Sequence, residues 1–143
     1  AGKEGWEKIT LASTIGGMVI NTAGVTLAHG MEHPASGLKN IVHGQGLAAL
    51  TPVIIEASYK GNREKFSKIA RIMGGMTAED CATKIRTLLK KLDLDCTLSD
   101  LGIKEEDIPW MAENCMKVSA AGVMNNPVVF LKEEIAEIYR KAL

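Results

Sequence analysis

The stretch Ile9-Thr10-Leu11-Ala12-Ser13-Thr14-Ile15-Gly16-Gly17-Met18-Val19-Ile20-Asn21-Thr22-Ala23-Gly24-Val25-Thr26-Leu27-Ala28-His29-Gly30-Met31 contains no Asp, Glu, Lys or Arg, and its reading decides the fold. A run of this length can cross a bilayer as a helix. Its content argues otherwise, because Thr10, Ser13, Thr14, Asn21, Thr22, Thr26 and His29 dilute the apolar side chains, while Gly16, Gly17 and Gly24 permit close helix approach. A helix that is apolar or small on every side is what the middle of a bundle requires, so the stretch is read as a buried helix and not as a membrane span. Trp6, Ile9, Ala12, Ile20 and Leu27 carry the helical spacing, which predicts one long helix from about Gly5 to Gly30. Pro34 is expected to end any continuation, leaving Ala35 to Asn40 as a connector.

Outward from there the pattern stays helical. A second helix is predicted to begin near His43 and to bury Leu47, Leu50, Val53, Ile54 and Ala57, with Pro52 as a kink or boundary. Gly61-Asn62 reads as a turn and N-cap, ahead of a run in which Phe66, Ile69, Ala70 and Met73 face inward and Arg63, Glu64, Lys65 and Lys68 face water. Gly74-Gly75 closes that run. Thr77 and Asp80 resemble a capping box opening a helix that uses Ala78, Cys81, Ile85, Leu88, Leu89 and Leu92. Leu94 to Gly102 is predicted as a loop, after which Glu105, Glu106 and Asp107 put negative charge at a helix start. Ile108, Met111, Ala112 and Cys115 are its buried positions. Asn125-Asn126-Pro127 breaks the pattern, and Lys132 to Ala142 forms a last helix with Ile135, Ile138 and Tyr139 inside. With no strand alternation or repeat, the expected fold is an all-α bundle of about six or seven helices joined by short loops.

Composition narrows the function classes. The 143 residues suffice for one substantial core. Lys plus Arg and Asp plus Glu each number 17, so the chain has no net field with which to draw nucleic acid or an acidic membrane surface. Cys81, Cys96 and Cys115 are odd in number and match no paired zinc spacing; they read as reduced thiols of a cytoplasmic protein. The seven methionines read as scattered core fillers. Charged Lys3, Glu4, Glu7 and Lys8 stand where a secretory signal would turn apolar. A start at Ala1-Gly2-Lys3 that runs almost at once into helical pattern is read as that of a fragment.

All three histidines, His29, His33 and His43, fall within fifteen residues. His29 and His33 are one helical turn apart and share a face if the helix persists. His43 sits at the start of the next helix, a place that suits a neutral ring with a nitrogen free for a metal. Neutral imidazoles bind zinc, ferrous iron, nickel or copper. Spacing by itself leaves two readings open, a transition-metal site and a set of ordinary half-buried histidines. Glu32, between the two helical histidines, points elsewhere on the helical wheel and is read as a solvated carboxylate. The Gly16-Gly17 and Gly44-Gln45-Gly46 clusters follow no strand and are read as close-packing points, not phosphate loops.

The segments Gly24-Val25-Thr26-Leu27-Ala28-His29-Gly30-Met31-Glu32-His33-Pro34 and Val42-His43-Gly44-Gln45-Gly46-Leu47-Ala48 together resemble the signature of iron-containing alcohol dehydrogenases. The intervals of four and then ten residues between histidines agree with that family. Leu98-Ser99-Asp100-Leu101-Gly102-Ile103, Asn125-Asn126-Pro127 and Glu133-Glu134-Ile135 follow in the family's order, so the likeness covers nearly the whole chain. Ala35, Val42, Val128 and Lys132 depart from frequent family residues without removing a candidate ligand.

The resemblance implies that residues 1–143 are the C-terminal helical, metal-binding domain of an NAD- or NADP-linked dehydrogenase interconverting an alcohol with an aldehyde or ketone. It implies that His29 and His43 bind the metal, iron (Fe2+) or in some members zinc (Zn2+), and that His33 lies near the substrate and nicotinamide. It further implies that an upstream Asp and His complete the metal shell and that an N-terminal domain binds most of the dinucleotide, so the chain alone is expected to be inactive. The expected partners are a small alcohol or aldehyde and the N-terminal domain, with no nucleic acid or membrane and with a homo-oligomer left open. Two other classes stand beside this one: a self-contained three-histidine metalloprotein such as a hydrolase, and a helical interaction module with incidental histidines.

Overall fold

A computed structural model describes residues 2–143. Its helices are α1 (Lys3–Ala23), α2 (Leu27–Lys39), α3 (His43–Ser58), α4 (Arg63–Ile72), α5 (Asp80–Lys91), α6 (Ile108–Val118), α7 (Ala120–Met124) and α8 (Lys132–Ala142), with 3-10 turns at Tyr59–Asn62 and Glu105–Asp107. Seven are ten residues or longer and α7 is a single short turn of five, in line with the all-α bundle read from the sequence. Among the described residues there is no strand.

The core is built by α2, α3, α6 and α8. Leu27, Met31 and Ala35 from α2 meet Leu50, Val53 and Ile54 from α3, Ile108, Met111 and Cys115 from α6, and Ile135, Ile138 and Tyr139 from α8. Each contributes the roughly 1.5–3 kcal/mol expected for removing a large apolar side chain from water. Tyr139 reaches across this core, its hydroxyl donating to the Met31 carbonyl at 2.5 Å. The α4–α5 pair packs outside α3. Asn62 caps α4 by accepting from the Lys65 amide at 3.1 Å, and Asp80 accepts from the Met76 and Thr77 amides at 2.8 and 2.9 Å, the reach-back half of the expected box.

Four expectations are corrected. The long helix breaks at Gly24, whose φ of 72° lies in the left-handed region that costs glycine little, and α2 leaves α1 at 100°. Ile9 to Ala23 is also not buried: no residue of α1 is, and Trp6 and Met18 stand 62% and 66% exposed. No single helix is long and apolar enough to cross a membrane. Pro34 does not stop α2, and of the two readings of Pro52 the boundary is excluded; both lie inside their helices and are buried, so packing offsets a backbone cost of about 3 kcal/mol. The connector expected from Ala35 to Asn40 is therefore the last turns of α2, closed by Asn40 in the left-handed conformation.

Smaller differences have the same origin. Leu88 on α5 and Leu92 just past its end are exposed, and so are Met18, Met76 and Met124 elsewhere, while Met31 and Met111 do fill the core. Gly16, Gly17 and Gly44 have no neighbour near the position of a side chain, so of the glycines read as packing points in the two clusters only Gly46 is one. All three cysteines are free thiols.

Candidate metal centre

The break at Gly24 and the tight seating of α2 aim the histidines. A Cβ on Gly30 would lie 3.2 Å from the Ser119 Cβ and 3.6 Å from the Cys115 Sγ, so α2 lies close against the α6–α7 junction. With Leu27 and Met31 buried on that side, His29 and His33 project from the other. The short Asn40–Val42 link then returns the chain so that α3 begins at His43, opposite them.

The three rings converge. Centroids are 5.2 Å apart for His29 and His43, 5.7 Å for His33 and His43, and 6.0 Å for His29 and His33. Two imidazoles sharing one ion at roughly 2.1 Å per bond, at angles near 90–110°, bring their ring centres to about 4.5–5.5 Å. The His29–His43 spacing falls in that window and the two His33 spacings fall outside it. By donor-atom reach alone, Glu32, His33 and His43 form a second grouping, within 4.8 Å of one another; His43 is common to both. Ring spacing brings His29 to His43, and donor-atom reach brings His33 and Glu32 to it.

Electrostatics suit a metal. His29 is half-buried, and burial first, then the His43 and His33 rings, hold it below the ordinary histidine range, with Glu32 pulling the other way. A neutral ring keeps a lone pair for a cation. His33 is exposed on the open side of the cluster.

Glu32 is the correction at this site. It is 0% exposed, not solvated. One carboxylate oxygen accepts from the Ser36 hydroxyl and the other from His43 Nδ1. The helical wheel placed it correctly away from His29 and His33 but could not say that α3 covers that side. The available signal was Gly46, three residues after His43, whose Cβ would lie 2.8 Å from both Glu32 Cγ and Glu32 Oε1.

The structure is thus an all-helical domain with three histidines convergent at one helix junction, and comparison with known proteins places the chain. Residues 2–143 match the Fe-containing alcohol dehydrogenase family, C-terminal; the chain belongs to this family. It is 36% identical over 144 residues to a 1,3-propanediol dehydrogenase of Klebsiella pneumoniae, covering 95% of this chain and 37% of that protein. It is 30% identical over 148 residues to a lactaldehyde reductase of Escherichia coli K12, covering 98% of this chain and 38% of that protein. Among solved structures, an archaeal halo-thermophilic alcohol dehydrogenase from a Red Sea brine pool superposes with a TM-score of 0.86 at 37% identity, over 96% of this chain and 37% of that one. The iron-containing alcohol dehydrogenase of Thermococcus thioreducens superposes with a TM-score of 0.81 at 29% identity, over 92% of this chain and 35% of that one. The chain thus spans a little over a third of the length of these relatives.

Proposed function

We propose that the chain acts as the C-terminal domain of an NAD- or NADP-linked alcohol dehydrogenase and contributes part of its metal centre. The observation that carries this is the 5.2 Å approach of the His29 and His43 rings across the α2–α3 junction. His29 and His43 would hold the ion, iron or zinc, which when bound supplies Lewis acidity toward an alcohol or carbonyl oxygen. The donor set fits, since imidazole nitrogens suit both metals. His33, exposed beside them, would face substrate and nicotinamide, where a ring nitrogen can take up and pass on the hydroxyl proton if it comes within hydrogen-bond reach.

The rest of the protein would supply the remaining ligands and most of the dinucleotide site. Two features support that division. The relatives are more than twice as long as the chain. α1 presents Leu11, Ile15, Met18 and Val19 on one side and Trp6, Ile9 and Ile20 on the other to solvent, more bare apolar surface than single domains usually leave and surface that further chain would cover.

Elemental analysis tests the reading on this chain and on a form extended to the length of the relatives. Stoichiometric metal in the long form, lost in both His29→Ala and His43→Ala, is the expected result, with dehydrogenase activity in the long form alone. His33→Gln should keep the metal and lower turnover. Tight metal binding by the 143-residue chain would favour a self-contained metalloprotein instead.

A further inference from the structure

Burying a carboxylate costs several kcal/mol unless its oxygens are well paired, so the position of Glu32 asks for a reason. Among the described residues, no Lys or Arg lies within ion-pair distance of it; its one chargeable partner is His43. Each oxygen is occupied. The Ser36 hydroxyl carries a single proton, and of its two acceptors, Glu32 Oε1 and the Ile41 carbonyl at 3.1 Å, the carboxylate is the nearer. His43 Nδ1 contacts Glu32 Oε2, and because an ionised carboxylate only accepts, the nitrogen is the donor.

An Nδ1–H bonded to a carboxylate leaves the lone pair of a neutral imidazole on Nε2. The Glu32 contact therefore selects both the tautomer and the orientation of His43, in the way a carboxylate commonly holds a histidine whose other nitrogen binds a metal. Gly46 makes this geometry available. A methyl group there would fall 2.8 Å from Glu32 Cγ and Oε1, and a carboxylate tied at both oxygens and enclosed on all sides has nowhere to retreat. The buried cradle runs from Ser36 on α2 through Glu32 to His43 and Gly46 on the first turn of α3.

We propose that Glu32 is a positioning residue which, seated by Ser36 and Gly46, holds His43 as the Nδ1–H tautomer and turns Nε2 toward the His29 and His33 rings. It acts on the ring, through the contact between Oε2 and Nδ1. Its functional meaning rests on the metal-centre reading above; the contact itself does not.

The test is 15N–1H NMR of the labelled full chain without metal near pH 8, followed by titration with Zn2+ alone. The parent chain is expected to show His43 as the Nδ1–H tautomer. Glu32→Ala and Gly46→Ala should both move it toward the Nε2–H form, the second without removing any side chain of the cluster. Glu32→Gln, whose amide oxygen still accepts, should retain most of the parent signature, and the amide spectrum of each variant reports whether it has kept the fold. Zn2+ affinity should fall by about 10- to 100-fold in Glu32→Ala and by less in Glu32→Gln. An unchanged His43 tautomer in folded Glu32→Ala and Gly46→Ala would overturn the proposal, as would a shifted tautomer with unchanged Zn2+ affinity. A shifted tautomer with no Zn2+ binding by the parent, on this chain or in its longer form, would support the contact and sink the metal-centre reading instead.

Discussion

The side-chain amide of Asn125 donates to the carbonyls of Ala23 and Val25, each at 3.1 Å, from a hundred residues further along the chain. Those carbonyls belong to the turn at which α1 ends and the chain swings into α2, so one side chain ties the α7 end to the turn that aims His29.

Replacing Asn125 by Ala removes both bonds at an exposed site. A loss of about 1–2 kcal/mol in unfolding free energy is expected from two such bonds. Denaturant unfolding checks the magnitude, and hydrogen exchange should show faster opening around Gly24 to Leu27 than around the α6–α8 core. Uniform acceleration through the whole chain would contradict the local role.

Two glycines should respond with opposite signs to the same change. A Cβ at Gly61 would meet the Pro127 carbonyl oxygen at 2.4 Å and its carbon at 2.8 Å. Backbone cannot give way cheaply, so Gly61→Ala should destabilise by about 1–3 kcal/mol or more. Gly37 lies exposed within α2 with nothing within 4 Å. There Ala should stabilise by about 0.5–1 kcal/mol. Paired thermal melts of the two variants decide the matter.

The core predicts an alkaline limit to stability. Burial pushes the Cys115 thiol up from 9.0 to about 12, and burial, followed by the Cys115 and Glu32 charges, raises the Tyr139 hydroxyl well above its usual 10.0. Both are acids whose folded pKa exceeds the unfolded one. Their neutral forms therefore cost nothing below the unfolded values, and stability is lost as pH rises past roughly 9 for the thiol and 10 for the phenol, toward the folded values. Each contributes a slope of about 1.4 kcal/mol per pH unit in that range. Tyr139→Phe should lose about 1 kcal/mol at neutral pH with the Met31 bond and flatten the alkaline slope. An equally steep slope in that variant would show that Tyr139 ionises freely while folded.

Much of the fold was legible because it is local. The Asn62 cap, the acidic start before α6, its four buried positions and the bounds of α8 all follow from spacing and capping within a turn or two of the residues concerned. The candidate site was half legible. His29, His33 and His43 stood out as a cluster of a residue type absent elsewhere, but Glu32 looked like one more surface carboxylate until α3 was laid over it.

What the sequence determined by itself was helical class, the position of most helix ends and the histidine cluster, since each depends on periodicity, caps and residue type within a short reach. Tertiary structure decided the rest. It bent the chain at Gly24, where the Asn125 amide donates to the freed carbonyls, and kept Pro34 and Pro52 inside helices because burial outweighs one missing backbone bond. It turned Glu32 from a solvated charge into a buried partner of His43, because only the approach of Gly46 from another helix leaves room for a carboxylate there. Each of these outcomes is set by contacts between separate helices, which no pattern within a single helix encodes.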